Sequence, residues 1–159
     1  MEVGVGFRFA PNEQFLQGKN FRTQLYNEYP IISIKYIAGL SNVLGGNYDY
    51  HKLYLRIFKR AKWIELGTTS MLFESGKTFG KDIPYPLQFV ARANQTYSHE
   101  FSSFNMMNFL EFVTDQYVSF QMEHHFKGYF LNNIPTIRKL KLRELISFKA
   151  IYGLSLIHI

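Results

Sequence analysis

The chain has 159 residues, enough for one ordinary domain, and its 47% hydrophobic and 19% charged residues exclude intrinsic disorder. It contains no cysteine, which excludes disulfides, thiol catalysis and cysteine metal sites. The net charge of +6 is compatible with nucleic acid, an anionic membrane surface or a basic lumen.

The N-terminal region predicts two strands. Residues 2–10 alternate between apolar and polar side chains, which is the period-two pattern of a strand with unlike faces, and a proline ends the pattern. Residues 11–30 predict a polar loop and residues 31–38 a second strand. Residues 39–47 predict a turn region around two adjacent glycines.

The next region predicts a hairpin followed by irregular chain. Residues 48–60 predict a third strand, and Ala61-Lys62 a tight reversal into a fourth strand at residues 63–76. Residues 71–73 interrupt the alternation of the fourth strand, and a β-bulge would restore it. Residues 77–103 contain two prolines and are predicted to be irregular.

A second hairpin is predicted from residues 105–113 and 117–131. The second of these runs holds its alternation for longer than an ordinary strand, which averages about five or six residues. Facing residues must share a face, so an odd connection is required, and Thr114-Asp115-Gln116 supplies three residues. A strand that crosses a bilayer in a tilted barrel needs about nine to eleven residues, and this length therefore favours a membrane-spanning hairpin.

The C-terminal region predicts a short helical turn at residues 132–140, with Pro135 at its start, and a seventh strand at residues 141–152. The predicted fold class is all-β, an antiparallel up-and-down meander of about seven long strands that forms part of a transmembrane β-barrel. Bacterial outer-membrane barrels close with an even number of strands, so seven is consistent with a piece of a larger barrel.

Alternation alone does not tell which face meets water. A soluble β-barrel or sandwich that binds an apolar ligand has the same pattern and is the alternative. Long strands favour the membrane, as do aromatic residues near strand ends, where an interfacial girdle would lie. These aromatic residues are Tyr48, Tyr50, Trp63, Tyr117, Tyr129, Phe130 and Tyr152.

The membrane interpretation assigns two sets of side chains. The expected lipid-facing set is Val118, Phe120, Met122, Phe126, Phe130, Ile146 and Phe148. The expected lumen-facing polar network is Glu111, Ser119, Gln121, Glu123, His125, Lys127, Arg143 and Lys149.

No pattern of residues predicts an enzyme, a catalytic residue, a metal site or a cofactor. Residues 75–78 resemble the end of a phosphate-binding loop, but the required earlier glycine is missing and no helix is predicted to follow. His124 and His125 are adjacent in a strand and point to opposite faces, so they are not expected to share a metal ion. The basic residues are spread over several strands without a recognised reading module, so nucleic acid is not expected as a partner.

Several runs resemble one bacterial family in order and spacing: residues 4–9, 29–33, 42–50, 115–119, 134–135 and 139–144. The family is an uncharacterised group of outer-membrane proteins that join an N-terminal carboxypeptidase-regulatory-like domain to a barrel of the surface-antigen, barrel-assembly type. The resemblance covers residues 2–153 and implies a complete barrel of about sixteen strands, of which roughly half are present. It implies no catalytic residues.

The resemblance and the missing export signal lead us to expect a fragment of a longer chain in the cell outer membrane. Residues 1–153 are expected to be a partial outer-membrane β-barrel, and residues 154–159 a non-native tail. The expected function is a scaffold or passage role in the cell envelope with no identified substrate. The expected partners are outer-membrane lipid, the remaining strands of the same barrel and an unidentified envelope protein.

Overall fold

A computed structural model describes residues 2–41, 48–80 and 83–154. Over these ranges the fold is all-β and antiparallel. Apart from two 3₁₀ turns at Tyr85–Leu87 and Leu131–Asn133, the described helical structure is α1 (Pro135–Arg138). The strands are β1 (Glu2–Phe9), β2 (Phe15–Gln17), β3 (Arg22–Gln24), β4 (Ile31–Gly39), β5 (Tyr50–Trp63), β6 (Gly67–Gly80), β7 (Phe89–Val90), β8 (Val113–Thr114), β9 (Gln116–His125) and β10 (Leu145–Leu154).

The main sheet of the described residues has six strands in the order β1-β4-β5-β6-β9-β10. Its neighbours follow chain order once the short β2–β3 and β7–β8 pairs are set aside, so the sheet is an antiparallel meander. Within the described ranges β1 and β10 are edges that do not pair with each other, and the sheet is open rather than a closed barrel. None of the described helices is long and apolar enough to cross a bilayer.

The β5–β6 hairpin differs from the predicted one. Its strands pair without interruption from Tyr50 opposite Gly80 to Trp63 opposite Gly67, so the predicted reversal at Ala61-Lys62 is wrong and the predicted bulge does not occur in this pairing. The turn lies at residues 64–66 instead. Gly67 has a φ of +102°, and a Cβ at this position would lie 1.9 Å from the carbonyl oxygen of His125. Position 67 therefore requires glycine, and this glycine directly follows the turn.

The partners of β9 also differ from the prediction. β9 pairs with β6 and β10, and the predicted hairpin with residues 105–113 is wrong. Residues 105–112 contain turns, and the strand β8 takes up only Val113–Thr114 from this region. Leu110 has a φ of +62°, which lies outside the strand region, so this segment cannot run as a continuous strand.

The other predicted elements are confirmed with small shifts. β1 and β4 lie where the first and second strands are predicted, and the helical turn begins at Pro135. The seventh predicted strand begins later, at Leu145, and the predicted loop at residues 11–30 contains the β2–β3 hairpin. The glycines of the predicted turn, at 45 and 46, and residues 155–159 of the predicted tail lie outside the described residues.

One face of the main sheet is mainly apolar across all six strands, although it also carries polar side chains that include Ser75 and the exposed Lys59 and Lys77. Direct pairing joins Phe7 to Ile34, Ile34 to Leu55, and Phe73 to Phe120 on this face. Much of it is exposed: Val5 is 68% exposed and Phe148 54%. We call this the apolar face, and its apolar side chains include Val3, Val5, Phe7, Phe9, Ile32, Ile34, Leu53, Leu55, Ile57, Met71, Phe73, Val118, Phe120, Met122, Ile146 and Phe148.

The opposite, polar face carries charged and hydroxyl side chains, and its centre is buried. Gln121 is 1% exposed, Glu123 6% and Glu74 8%. Soluble antiparallel sheets pack the apolar side inward and leave the polar side to water. The described chain has the reverse arrangement.

Candidate functional site

Residues 83–114, which we call the strap, cover the polar face. The strap leaves the sheet after β6 and returns into β9. It is held to itself by the β7–β8 pair and by hydrogen bonds from the Ala91 N–H to the Phe112 carbonyl (2.9 Å) and from the Phe104 N–H to the Arg92 carbonyl (2.8 Å). Its root is closed by the N–H of Thr78, which donates to the carbonyl of Asp115 at 2.8 Å. The strap is therefore an ordered cover.

Phe89 is the apolar anchor of the strap. Its side chain is 6% exposed, and its ring meets Tyr54 and Tyr117 edge-on, with centroid distances of 4.7 and 5.0 Å. Gly76 lies between these two tyrosines in the sheet, and a Cβ at this position would lie 2.8 Å from Cζ of Phe89. The missing side chain at position 76 leaves the space that the Phe89 ring occupies.

Glu74 joins the strap to the sheet by charge. Its carboxylate pairs with the guanidinium of Arg92 in the strap. The other oxygen, Oε1, lies 3.6 Å from Nε of Arg56 on the neighbouring strand. Since Glu74 is almost fully buried, these two cations supply the compensation that a buried carboxylate needs.

Glu123 forms a second junction, with two histidines. Nε2 of His99 in the strap lies 2.7 Å from one carboxylate oxygen, and Nε2 of His125 lies 2.6 Å from the other. The side-chain amide of Asn105 lies 2.8 Å from Nδ1 of His99. When this amide donates to Nδ1, the hydrogen-bond network assigns the His99 proton to Nε2, where it is donated to Glu123.

Lys149 forms a third junction, with the backbone of the strap. Its Nζ donates to the carbonyl oxygens of Glu100 at 2.7 Å and Ser103 at 2.6 Å. Ser103 is itself buried. The ammonium group therefore satisfies carbonyls that face the sheet rather than water.

Replacing Lys149 by methionine keeps a long side chain but removes both hydrogen bonds. We expect the strap to lose about 1–3 kcal/mol of local stability, because its carbonyls lose a charged donor. Faster hydrogen exchange of the Phe104 amide, measured by mass spectrometry, would report this loss. Lys35→Met is the matched control, since Lys35 lies on β4 and no hydrogen bond joins its side chain to the described part of the strap. Equal exchange in the two variants would contradict the expectation.

The structure brings part of the predicted polar network together. Ser119, Gln121, Glu123 and Lys149 lie on the polar face beneath the strap, and His125 lies at its end. The remaining three residues are outside the sheet. Lys127 and Arg143 lie beyond the strand ends and are exposed, and Glu111 lies in the strap, where its carboxylate accepts the N–H of Asn108 at 2.6 Å.

The expected lipid-facing residues fall into two groups. Phe126 and Phe130 lie past the end of β9, where their rings meet with a centroid distance of 5.1 Å. The others share the apolar face of the sheet: Val118, Phe120, Met122, Ile146 and Phe148.

Sequence reasoning missed the strap contacts from Phe89, Arg92 and His99 and their partner Glu74. The signal that could have pointed to them is the length of the irregular segment, because long structureless loops inside compact domains usually serve a function. Within the described residues no group of three histidine, aspartate or glutamate side chains is placed to hold a metal ion. The charged side chains of the sheet instead bind the strap to the polar face.

Residues 1–155 match a family described as "Family of unknown function (DUF5686) C-terminal domain". No curated protein and no solved structure gives a significant match to the chain.

Proposed function

The chain belongs to this family, that of the DUF5686 C-terminal domain, and from this premise we propose that it forms part of a β-barrel in the bacterial outer membrane. In this proposal the parent protein carries an N-terminal carboxypeptidase-regulatory-like domain, and its barrel is of the surface-antigen type. The barrel has a scaffold or passage role in the cell envelope.

The reversed polarity of the sheet is the observation that carries the proposal. A face that is mainly apolar on all six strands is exposed over much of its area, while Glu74 and Glu123 on the other face are buried. In water, exposed apolar patches of this extent mark surfaces that another phase or molecule covers. Hydrocarbon provides such a phase, and it favours Phe, Ile and Val outward with polar residues toward a lumen.

Strand length supports the same proposal. β5 and β6 each have 14 residues, and β9 and β10 each have 10. A tilted membrane strand needs about nine to eleven residues to cross the hydrocarbon layer. In this proposal the strap occupies the lumen side of the sheet, in the way that loops fill the interior of plugged barrels.

Fractionation of cells that make the full-length parent protein tests the location. We expect the protein to stay in the outer-membrane pellet after extraction with urea, because its apolar face is embedded in lipid. A parent protein that remains folded and monomeric in buffer without detergent would overturn the proposal. It would favour the alternative, a soluble sheet whose apolar face binds an apolar ligand.

Conductance of the full-length protein in planar bilayers separates the two proposed roles. A stable ion conductance supports passage, whereas a folded, inserted protein without conductance supports a scaffold. The strap makes the scaffold result the expected one for the resting protein, since Phe89, Arg92 and His99 fix it across the polar face.

A further inference from the structure

A basic cleft lies at the end of the polar face where the β5–β6 hairpin turns. The strap joins β6 and β9 at the opposite end of these strands, and it contributes no side chain to the described lining. The cleft therefore stays open beside the covered centre of the face. Four cationic side chains and two hydroxyl groups of the sheet line it, together with three further residues: Arg60, Lys62, Lys127, Arg143, Thr68 and Ser70, and also Tyr26, His125 and Glu144.

The cleft has an excess of positive charge. Its two arginines and two lysines take no part in the ion pairs of the described residues, which involve other cations. His125 at the rim is paired with Glu123 at 2.6 Å. One carboxylate, that of Glu144, also reaches the cleft.

Glu144 offsets only one of the four positive charges, and its Oε2 is buried without a hydrogen-bond partner among the described residues. It accepts the backbone N–H of Leu131. Burial raises the pKa of Glu144, but backbone hydrogen bonds from Leu131 and its neighbours outweigh this effect and hold the pKa below its ordinary value. Four cations thus face a single carboxylate that is already bound to the backbone.

Hydroxyl groups stand beside two of the cations. Arg60 lies directly opposite Ser70 and Lys62 directly opposite Thr68 in the β5–β6 pairing. Among the described residues neither hydroxyl has a hydrogen-bond partner, although Ser70 is 8% exposed. Each of these two residue pairs therefore places one cation and one O–H donor at the cleft.

The backbone at Lys127 is in the left-handed region, with a φ of +57°. Glycine adopts this conformation without strain, whereas a side chain is disfavoured in it. Position 127 nevertheless carries a lysine that lines the cleft. Lys141 has nearly the same conformation, with a φ of +52°, but does not line the cleft.

We propose that this cleft binds the phosphate group of an anionic ligand. Arginine forks and hydroxyl donors match phosphate oxygens, and a phosphate offers more acceptor oxygens and more negative charge than one carboxylate. The phosphate can belong to a free phosphorylated compound or to a lipid headgroup. The proposal does not depend on the envelope role, since the cleft is defined by side chains of the sheet and of the segments that adjoin its strand ends.

Calorimetric titration of the whole chain in non-ionic detergent tests the proposal. One arm uses inorganic pyrophosphate, and the other uses a soluble short-chain phosphatidylglycerol with the matching phosphatidylcholine as reference. Binding of pyrophosphate assigns the site to free phosphates, and binding of phosphatidylglycerol alone assigns it to lipid headgroups. If neither pyrophosphate nor phosphatidylglycerol binds, the proposal is overturned.

Two glycine variants separate the site from general charge and from folding. Lys127→Gly should weaken the affinity about tenfold, because a charged donor is lost, while the melting temperature stays equal or rises. Lys141→Gly removes the same charge and relieves the same backbone conformation, but should leave the affinity within about twofold. Equal weakening by both variants would show diffuse charge attraction and overturn the proposal. Arg143→Gln, which leaves the backbone unchanged, should reproduce the loss seen with Lys127→Gly.

Discussion

If lipid covers the apolar face, as we propose, Phe148→Arg is expected to destabilise the sheet by about 2–4 kcal/mol, the cost of an arginine near the bilayer midplane on the outside of a barrel. Phe148 lies within β10, directly opposite Met122, and is 54% exposed on the apolar face. If water covered this face, the same change would be a surface substitution worth within about 0.5 kcal/mol. The size of the effect therefore reports what covers the face.

Denaturant unfolding of the chain in lipid vesicles, followed by circular dichroism, measures the effect. Phe109→Arg is the matched control, because Phe109 is 64% exposed but lies in the strap, away from the apolar face. We expect the control to change the free energy of unfolding little. Equal free energies for Phe148→Arg and Phe109→Arg would remove the main support for a lipid-facing sheet.

Leucine at position 76 is expected to expel the Phe89 ring and free the strap. A Cβ on Gly76 would approach the rings of Phe89 and Tyr117 to 2.8 and 2.6 Å, and no side chain fits in this gap. Losing a buried phenylalanine contact costs about 3–5 kcal/mol, so local opening of the strap should become more frequent by more than a hundredfold. Hydrogen exchange of the Ala91 amide, which is bonded to the Phe112 carbonyl, measures this opening.

Gly6→Leu provides the matched control for the glycine substitution. Gly6 also lies on the polar face, but the nearest atom to its added Cβ is the Ile34 carbonyl oxygen at 4.0 Å. The control should leave exchange at Ala91 unchanged. If Gly76→Leu prevents the sheet from folding, Phe89→Ala removes the anchor without a clash, and an unchanged exchange rate in that variant would contradict the role of Phe89.

Strands with clean alternation could be located from the sequence, because period-two burial is a local property. β1 and β4 follow this rule, and their predicted bounds need little change. The end of the β5–β6 hairpin could not be located in the same way. Its position depends on the φ of +102° at Gly67 and on the close approach of the His125 carbonyl from another strand. Such contacts between residues that are distant in the sequence do not produce a periodic pattern of side chains.

The course of the strap could not be predicted from the sequence pattern for a related reason. Arg92 meets Glu74 and His99 meets Glu123, so its course is set by individual contacts with the sheet. Alternation is also symmetric, and it predicts two unlike faces without saying which one is covered. Only the position of the strap shows that the charged side of Glu74 and Glu123 is the enclosed one.

Two edges of the sheet are unpaired in the described part of the chain, and they limit which strand can add beside them. β1 has 8 residues and β10 has 10, and no described strand pairs with the backbone donors and acceptors on their outer sides. A strand that pairs with β1 has to place its apolar side chains on the same face as Val5 and Phe7. A shift of one residue in the register would turn those side chains toward the polar face. Each edge strand therefore favours pairing registers that keep apolar side chains on the apolar face, and it disfavours registers shifted by one residue.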